Sequence, residues 1–397
     1  MKFKAGLFVR ILVAIVAGAT LGMILPESGL RALKTFNVFF EGLLKFIVPL
    51  LIIGLVTPAI TDVGKGAGRM LMSVMVISYV STVFAGFFGY TAGTELFPHY
   101  LPKGLISVAS SEGAIEPYFT LKILPVCDVL TALALSFMTG IGIVATGSTT
   151  LRGAVSDFGE VVKFTILKVI IPFLPFYIAT MICGMVAGGK AAAMAEVLVK
   201  VIGTGIVLTV VYLFVLYLVA AAIARKNPFK CMWNMLPAYF TGFSICSSAA
   251  SIPMTLESTL RNGVSKDIAG FVIPLCANVH MVGSAVKLCA SATAIIWMAN
   301  DPVPFAQFSH FIVMLGIVAV AAPGVTGGVL MASLGLVDSV LGFNADQAAL
   351  LITFYLAIDG YGPAANVTGD GAIALVIDRF FGKRVGRAAE PPSDEVK

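Results

Sequence analysis

The chain has 397 residues, of which 58% are hydrophobic and 12% charged, whereas soluble domains average about 45–50% and about 25%. This balance excludes an ordinary soluble enzyme. The net charge of +5 does not indicate a nucleic-acid partner, because basic residues of a membrane protein report its orientation. The mean hydropathy of +0.98 predicts a polytopic membrane protein, since each spanning helix needs about 20 apolar residues.

The beginning of the chain is basic and leads into an apolar run without a convincing small-residue cleavage site. This pattern favours a retained first helix over a removable signal peptide. The six cysteines stand singly, with no CxxC pair, so we expect packing residues rather than a zinc or redox site.

Apolar runs between charges predict eight transmembrane helices. They lie near residues 7–25, 38–60, 70–95, 129–150, 160–187, 195–224, 267–299 and 345–381. Basic residues cluster at alternate ends of these spans, at residues 2–10, 65–69, 225–230, 261–266 and 379–387. The positive-inside rule makes these ends, and therefore both termini, cytoplasmic. Arg31 and Lys34 are exceptions, because the pattern places them in the first outer loop.

Two further apolar runs are interrupted and do not fit simple spans. The run at 230–257 breaks at 246–253, and the run at 301–338 breaks at 321–328. Non-helical backbone at membrane depth must be buried in protein or line a wet cavity. We therefore predict two re-entrant helical hairpins, the first entering from the cytoplasm and the second from outside. Paired interruptions indicate a transporter with inverted repeats and a midplane binding site, although a kinked spanning helix is the alternative for either break.

The last predicted span contains Asp359, Asn366 and Asp370, whose offsets of 7 and 11 residues place them on one helical face. Gly362 lies beside them. Two carboxylates inside a membrane helix normally face a cavity, a partner or a bound ion. The alternative is that an aspartate only pairs with a buried base.

The preceding span carries His280, Ser284 and Lys287 at offsets of 4 and 7 residues, again on one predicted face. Lys287 lies too deep for its ammonium to reach a membrane surface easily, so we expect it to pair with Asp359 or Asp370. His280 is either a group that changes charge or a neutral, hydrogen-bonded core histidine.

These features together resemble the dicarboxylate/amino acid:cation symporters, the glutamate transporter homologues. The resemblance rests on the two broken hairpins, on CANVHMVGSAV at 276–286 and on NVTGD at 366–370. SSAASIP at 247–253 is similar to the family's serine-rich first tip, and APGVTGG at 322–328 to its second tip, the extracellular gate.

The resemblance implies an all-α fold of eight transmembrane helices and two hairpins, assembled as a homotrimer in membrane lipid, with an elevator mechanism. It assigns residues 1–69 and 96–194 to a fixed scaffold and residues 70–95 and 195–381 to a moving transport domain. Residues 382–397 form a cytoplasmic tail. We expect this organisation in a bacterial inner membrane.

The resemblance also implies roles for individual residues. Asp359 matches the aspartate that holds the substrate α-amino group, and Asn366 the asparagine that holds the α-carboxylate. Asp370, with Asn366, matches a sodium site, and hard oxygen ligands suit that cation. The full predicted set comprises substrate-binding Ser247, Ser248, Ser284, Asp359, Gly362 and Asn366, gate residues Pro323, Gly324 and Gly327, and ion-coupling Ser81, Thr82, His280, Lys287, Asn366 and Asp370.

Two departures from the family pattern bear on function. Members that take acidic substrates carry an arginine at the position of Gly362, and glycine cannot replace a bidentate anchor. The family's NMDGT reads HMVGS at 280–284, so Val282 stands where a sodium-binding aspartate is usual. We therefore predict fewer sodium ions per cycle, with protons carried by His280 as the alternative. Lys287 is then a tethered counter-ion, a clamp for an acidic substrate or a structural partner.

The predicted function is a secondary active symporter that moves an amino acid with a cation gradient. A neutral substrate is favoured over an acidic one because of Gly362, and an amine is favoured because Asp359 is expected to be an isolated buried carboxylate. One alternative is an acidic amino acid or C4-dicarboxylate symporter that uses Lys287 as counter-charge, and another is a channel. An enzyme is not expected, because the sequence pairs no nucleophile with a base and has neither a zinc ligand set nor a phosphate loop. Na+ and H+ are the expected ions, with no organic cofactor.

Overall fold

A computed structural model of the chain describes residues 7–64, 69–105, 116–187, 191–322, 327–357 and 359–388. Within these ranges the chain forms helices joined by turns and short irregular segments, and no β-strand occurs in them. The prediction of an all-α protein is therefore confirmed for the described residues.

The helices follow one another with short connections. In chain order they are α1 (Leu7–Ile24), α2 (Glu27–Gly64), α3 (Arg69–Leu96), α4 (Val129–Thr146), α5 (Thr149–Thr165), α6 (Ile171–Ala187), α7 (Ala191–Ala224), α8 (Pro228–Ile245), α9 (Ile252–Arg261), α10 (Lys266–Val279), α11 (Val282–Ala299), α12 (Phe305–Ala321), α13 (Gly328–Ser339), α14 (Ala345–Ala357) and α15 (Tyr361–Ala388). A π-helical turn at Ile166–Ile170 joins α5 to α6.

The predicted spans at 7–25, 70–95, 129–150 and 195–224 correspond to α1, α3, α4 and α7. The span predicted at 38–60 covers only the later part of α2, which begins at Glu27. Arg31 and Lys34, predicted in an outer loop, instead lie in the first turns of this helix. Arg31 Nε donates to the carbonyl oxygen of Glu116 at 3.1 Å, so this end of α2 is tied to the segment before α4.

Two other predicted spans are broken. The span at 267–299 is interrupted between α10 and α11, where His280 has extended backbone angles (φ −109°, ψ 96°). The span at 345–381 bends by 63° between α14 and α15, and Asp359 lies in the turn. The single-face argument is therefore wrong for His280 with Lys287, and for Asp359 with Asn366, because a break separates the members of each pair.

Several helices are long and apolar enough to cross a bilayer. Four such stretches occur in the described residues: Arg69–His99, Thr149–Gly184, Glu196–Ala224 and Lys266–Ala299. The bent pair α14–α15 would make a fifth. The chain is thus a multi-pass membrane protein, while the number of eight spans stays a prediction.

Both predicted hairpins consist of two helices that pack on each other, α8 on α9 and α12 on α13. In the first, α8 ends where Cys246 takes a left-handed conformation (φ 54°). Proline in the first turn of α9 suits a helix start, because its missing N–H would have no partner there. In the second, Pro323 and Gly324 lie outside the described residues. That the hairpins enter the membrane without crossing it stays a prediction.

The helices pack in two groups. In one group, α1 lies on α6, and α2 lies on α4, α5 and α6. In the other, α15 contacts α7, α8, α10 and α11, and α3 lies along α11. Helix α11 is at the centre of the second group, since every residue from Val282 to Ile295 is buried. Lys287 is therefore held far from solvent.

The contact between α3 and α11 depends on small residues. A Cβ added at Gly89 would lie 2.6 Å from the carbonyl oxygen of Val286, which is closer than real side chains approach backbone. In contrast, Gly203 on α7 has no atom within 4 Å of its Cβ position.

We predict that Gly89→Ala destabilises the protein by about 1–3 kcal/mol, because an extra methyl forces two packed helices apart. The matched variant Gly203→Ala should leave stability unchanged or slightly raised, since alanine favours helix more than glycine. The apparent melting temperatures of the purified proteins in detergent test this. Equal melting temperatures for the two variants would contradict the close packing of α3 on α11.

Candidate functional site

The two breaks bring four ionisable side chains into the interior as two pairs. Lys287 and Asp359 have side-chain exposures of 1% and 5%. His280 and Asp370 are both 0% exposed. Each aspartate therefore has its own base, and the structure selects Asp359 as the partner of Lys287.

Lys287 lies between Asp359, an aromatic ring and a glycine. Its Nζ is 3.2 Å from Asp359 Oδ1 and 3.5 Å from the ring centroid of Tyr355, where a cation is attracted by the ring face. A Cβ added at Gly362 would be 3.2 Å from Nζ and 3.4 Å from Ser284 Oγ. The ammonium thus occupies the space beside Gly362.

Sequence reasoning missed Tyr355. Helical spacing gave no valid signal for it, because α14 ends at Ala357 and Asp359 lies in the turn that follows. Reasoning about charged groups alone passed over an aromatic residue in an apolar run.

Asp359 is not the isolated carboxylate that the sequence argument assumed, because Lys287 pairs with Oδ1. Its other oxygen, Oδ2, is buried and has no hydrogen-bond partner among the described residues. A buried acceptor without a partner is costly. This oxygen is therefore available to a donor from a ligand.

The second pair extends into a three-membered chain. His280 Nδ1 is 3.0 Å from Asp370 Oδ1, and Nε2 is 3.0 Å from Ser81 Oγ. A neutral imidazole donates through one nitrogen and accepts through the other, whereas an imidazolium donates through both. The hydroxyl of Ser81 can serve either form, because it both donates and accepts.

The surroundings of Asp370 differ from an all-oxygen ion site. Val282 is buried, and its Cγ2 would be 3.1 Å from a Cβ added at Gly369. The same Cβ would be 2.9 Å from Cε1 of His280. The space beside Gly369, the residue before Asp370, is therefore bordered by an apolar side chain and an imidazole.

The oxygens predicted to bind sodium are already engaged within the protein. Thr82 Oγ1 accepts from the N–H of Met281 at 3.2 Å, and Asn366 Oδ1 accepts from the N–H of Gly283 at 2.9 Å. Asp370 Oδ2 is buried without a hydrogen-bond partner among the described residues. A sodium ion could use Asp370 Oδ2 and would share the other oxygens with the hydrogen bonds that they already accept, since each has a second lone pair.

Asn366 joins α15 to the start of α11 and still has a weakly used donor. Its Nδ2 lies 3.2 Å from Met281 Sδ and 3.4 Å from Ser284 Oγ. A thioether is a weak acceptor. The amide can therefore turn this donor to a carboxylate oxygen at little cost.

The first hairpin tip lies against the turn that contains Asp359. A Cβ added at Gly360 would be 2.7 Å from the carbonyl oxygen of Phe243. Within the tip, the Ser247 hydroxyl accepts from the N–H of Ala250 at 3.3 Å, and Ser248 is buried. The two predicted serines are thus close to the break, in a tip that is stabilised by its own hydrogen bonds.

Gly327 precedes α13 in the second hairpin. It has a left-handed conformation (φ +70°), which side chains rarely adopt. A Cβ there would be 3.2 Å from Leu356 Cδ2, three residues before Asp359. The end of the second hairpin therefore contacts the helix that leads into the site.

Comparison with known proteins places these features in context. A family model described as "Sodium:dicarboxylate symporter family" matches residues 7–380. The serine/threonine transporter SstT of Streptococcus suis (strain 05ZYH33) is 27% identical over 343 residues, which are 83% of this chain and 93% of that protein. SstT of Streptococcus thermophilus (strain CNRZ 1066) is 26% identical over 364 residues, 88% of this chain and 89% of that protein.

A human relative matches a shorter part of the chain. The neutral amino acid transporter B(0) of Homo sapiens is 28% identical over 187 residues, which are 47% of this chain and 34% of that protein.

The family match includes both broken regions and the helices α11 and α15 that build the site. It confirms the resemblance drawn from the sequence motifs, and with it the prediction of a transporter rather than an enzyme. The chain belongs to the sodium:dicarboxylate symporter family.

Proposed function

We propose that the protein is a secondary active symporter that moves a neutral, zwitterionic amino acid across a membrane with a cation gradient. The observation that carries the proposal is the pair of Lys287 and Asp359 beside Gly362, at 3.2 Å. The formal charges of this pair sum to zero, and a zwitterion adds none. The names of the relatives, transporters of serine and threonine or of neutral amino acids, support the same substrate class.

The donors and acceptors around the pair support a particular pose. The substrate ammonium would bind Asp359 Oδ2, the oxygen without a protein partner among the described residues. Its carboxylate would accept from Asn366 Nδ2, near Ser284, Ser248 and the N-terminal end of α11, where the helix dipole favours negative charge. A small substrate side chain would then share the space at Gly362 with the Lys287 ammonium, and no arginine is present there.

A second candidate is an acidic amino acid or C4-dicarboxylate symporter. The position of the Lys287 ammonium beside Gly362 favours it, since this cation could meet a side-chain carboxylate. The candidate adds at least one uncompensated negative charge to a buried site. A channel is a third candidate. Substrate uptake that does not saturate and shows no counterflow would identify it.

The coupling cation is proposed to be H+ at His280, with Na+ at Asp370 and Asn366 as the alternative. The chain from Ser81 through His280 to Asp370 supports the proton, because an imidazole between two hydrogen-bond partners can hold a proton on either nitrogen or on both. Val282 stands where the family resemblance places a sodium-binding aspartate, which lowers the number of oxygens that sodium could use. The family name alone supports sodium.

The architecture proposed for this function is a homotrimer of elevator type, with eight spans, two re-entrant hairpins in inverted repeats and both termini in the cytoplasm of a bacterial inner membrane. Residues 1–69 and 96–194 form the scaffold, residues 70–95 and 195–381 the transport domain, and residues 382–397 the tail. Helices α1, α2, α4, α5 and α6 pack on one another more than on the helices around α11, which supports this division.

We predict that Asp359→Asn weakens amino-acid binding about 10- to 150-fold, since a hydrogen bond to a charged group contributes about 1.5–3 kcal/mol. The matched control is Asp346→Asn, because Asp346 is an exposed aspartate (70%) on α14. Binding and liposome uptake of L-serine, L-threonine, L-alanine, L-aspartate, L-glutamate and succinate measure the effect. Wild-type uptake confined to succinate and the acidic amino acids would contradict a neutral substrate.

We predict that an inward proton gradient drives uptake by the wild type and that His280→Gln abolishes this response while amino-acid counterflow persists. The amide replaces the hydrogen bonds of the imidazole but does not carry a proton at neutral pH. His310→Gln is the matched control, because His310 is exposed on α12. Uptake that follows a sodium gradient and ignores the proton gradient, in wild type and variant alike, would overturn the proton assignment.

We predict that Gly327→Val raises the apparent substrate dissociation constant, because the side chain would strain the backbone and press on Leu356 at the gate. Gly342→Val is the matched control: Gly342 has the same kind of conformation (φ +72°) but no atom within 4 Å of its Cβ position. Isothermal titration with L-serine compares them. Equal dissociation constants for the two variants would remove Gly327 from the gate.

A further inference from the structure

Lys287 has a role that substrate binding alone does not explain. The lysine is buried on the central helix of its group and already holds the carboxylate that the substrate amine needs. A substrate ammonium at Oδ2 and the Lys287 ammonium at Oδ1 would place two cations on one carboxylate, and their mutual repulsion puts the two in competition for Asp359. The arrangement of contacts around the ammonium indicates how that competition is resolved.

The surroundings of Lys287 hold the ammonium by contacts other than the one to Asp359. The ring of Tyr355 lies 3.5 Å from Nζ while the lysine is paired with Asp359, and a cation over an aromatic face remains stabilised when it is desolvated. Beside it, Ser284 Oγ lines the space at Gly362. When Nζ gives up Asp359 Oδ1, it would keep the ring contact that it already makes and turn to the hydroxyl, without bringing the charge into lipid.

The charges of the site are balanced in both of its states. With no substrate, Asp359 and Lys287 compensate each other. With a zwitterion bound, the substrate ammonium faces Asp359, the substrate carboxylate is held by Asn366 and the N-terminal end of α11, and Lys287 completes the charge balance. Without Lys287, Asp359 would be an unpaired buried carboxylate in the empty site, which resists transfer through a low-dielectric interior. In the loaded site the same carboxylate would still face the substrate ammonium.

We propose that the Lys287 ammonium is an internal counter-ion that occupies Asp359 in the empty carrier and yields this carboxylate to the substrate ammonium. The empty carrier can then return across the membrane without a separate cation at Asp359. The inference rests on the proposed function, because it requires an amine-bearing substrate. It assigns to Lys287 a step of the transport cycle that is distinct from substrate recognition.

The variant Lys287→Met separates this role from a merely structural one. Methionine has a similar length but no charge. In liposomes, net uptake of labelled L-serine into vesicles without internal amino acid requires the empty carrier to return, whereas exchange against internal unlabelled L-serine does not. We expect Lys287→Met to lose net uptake at least ten-fold relative to wild type and to keep exchange within about three-fold.

Binding supplies an independent readout. Since the amine no longer competes with a tethered ammonium, Lys287→Met should bind L-serine as tightly as wild type or more tightly. Equal fractional losses of net uptake and exchange, or retention of both, would overturn the inference. A wild type that performs neither reaction with any amino acid would contradict the proposed function itself, and the inference with it.

A second comparison decides the matter if Lys287→Met does not fold. Tyr355→Phe keeps the aromatic face on which the displaced ammonium would rest, and Tyr355→Leu removes it. We expect Tyr355→Leu to weaken L-serine binding at least five-fold more than Tyr355→Phe does. Equal affinities of the two variants would contradict the role of the ring in holding the displaced ammonium.

Discussion

A buried charge needs an opposite charge close by, and breaking a buried ion pair costs about 3–5 kcal/mol because one partner is left uncompensated. In this protein the constraint acts at Lys287, which lies on a helix that is buried on all sides from Val282 to Ile295. Asp359 provides the opposite charge that Lys287 needs, with Oδ1 at 3.2 Å from the lysine Nζ. The position of Asp359 in turn depends on the bend between α14 and α15, and the space for the ammonium depends on Gly362.

The breaks in the helices have a direct physical use. An unbroken helix would satisfy its backbone internally and present only side chains, whereas a break frees backbone groups and helix ends at membrane depth. The break at His280 lets the first N–H groups of α11 reach Asn366 Oδ1. The same break turns the imidazole toward Asp370. The two buried pairs, Lys287 with Asp359 and His280 with Asp370, therefore have no partner in common.

Much of this arrangement could be predicted from the sequence. Intramembrane carboxylates, a deep lysine and interrupted apolar runs are strong signals, since each is unfavourable in lipid and demands an explanation. The pairing of Lys287 with an aspartate and the positions of the two hairpins follow from them. The breaks at His280 and Asp359 were missed because apolar composition continues through both, so helical periodicity was extended across them. Tyr355 was missed because its role comes from a ring face, which carries no charge signal in a sequence.

The most direct test of this account is a pair of experimental structures, one without amino acid and one with L-serine bound. The account predicts that Lys287 Nζ contacts both Asp359 and the ring of Tyr355 in the first. In the second, the substrate ammonium lies within hydrogen-bond distance of Asp359, while Nζ has left Asp359, stays over Tyr355 and approaches Ser284. A lysine–aspartate contact that is unchanged on binding, with the substrate amine held elsewhere, would contradict it.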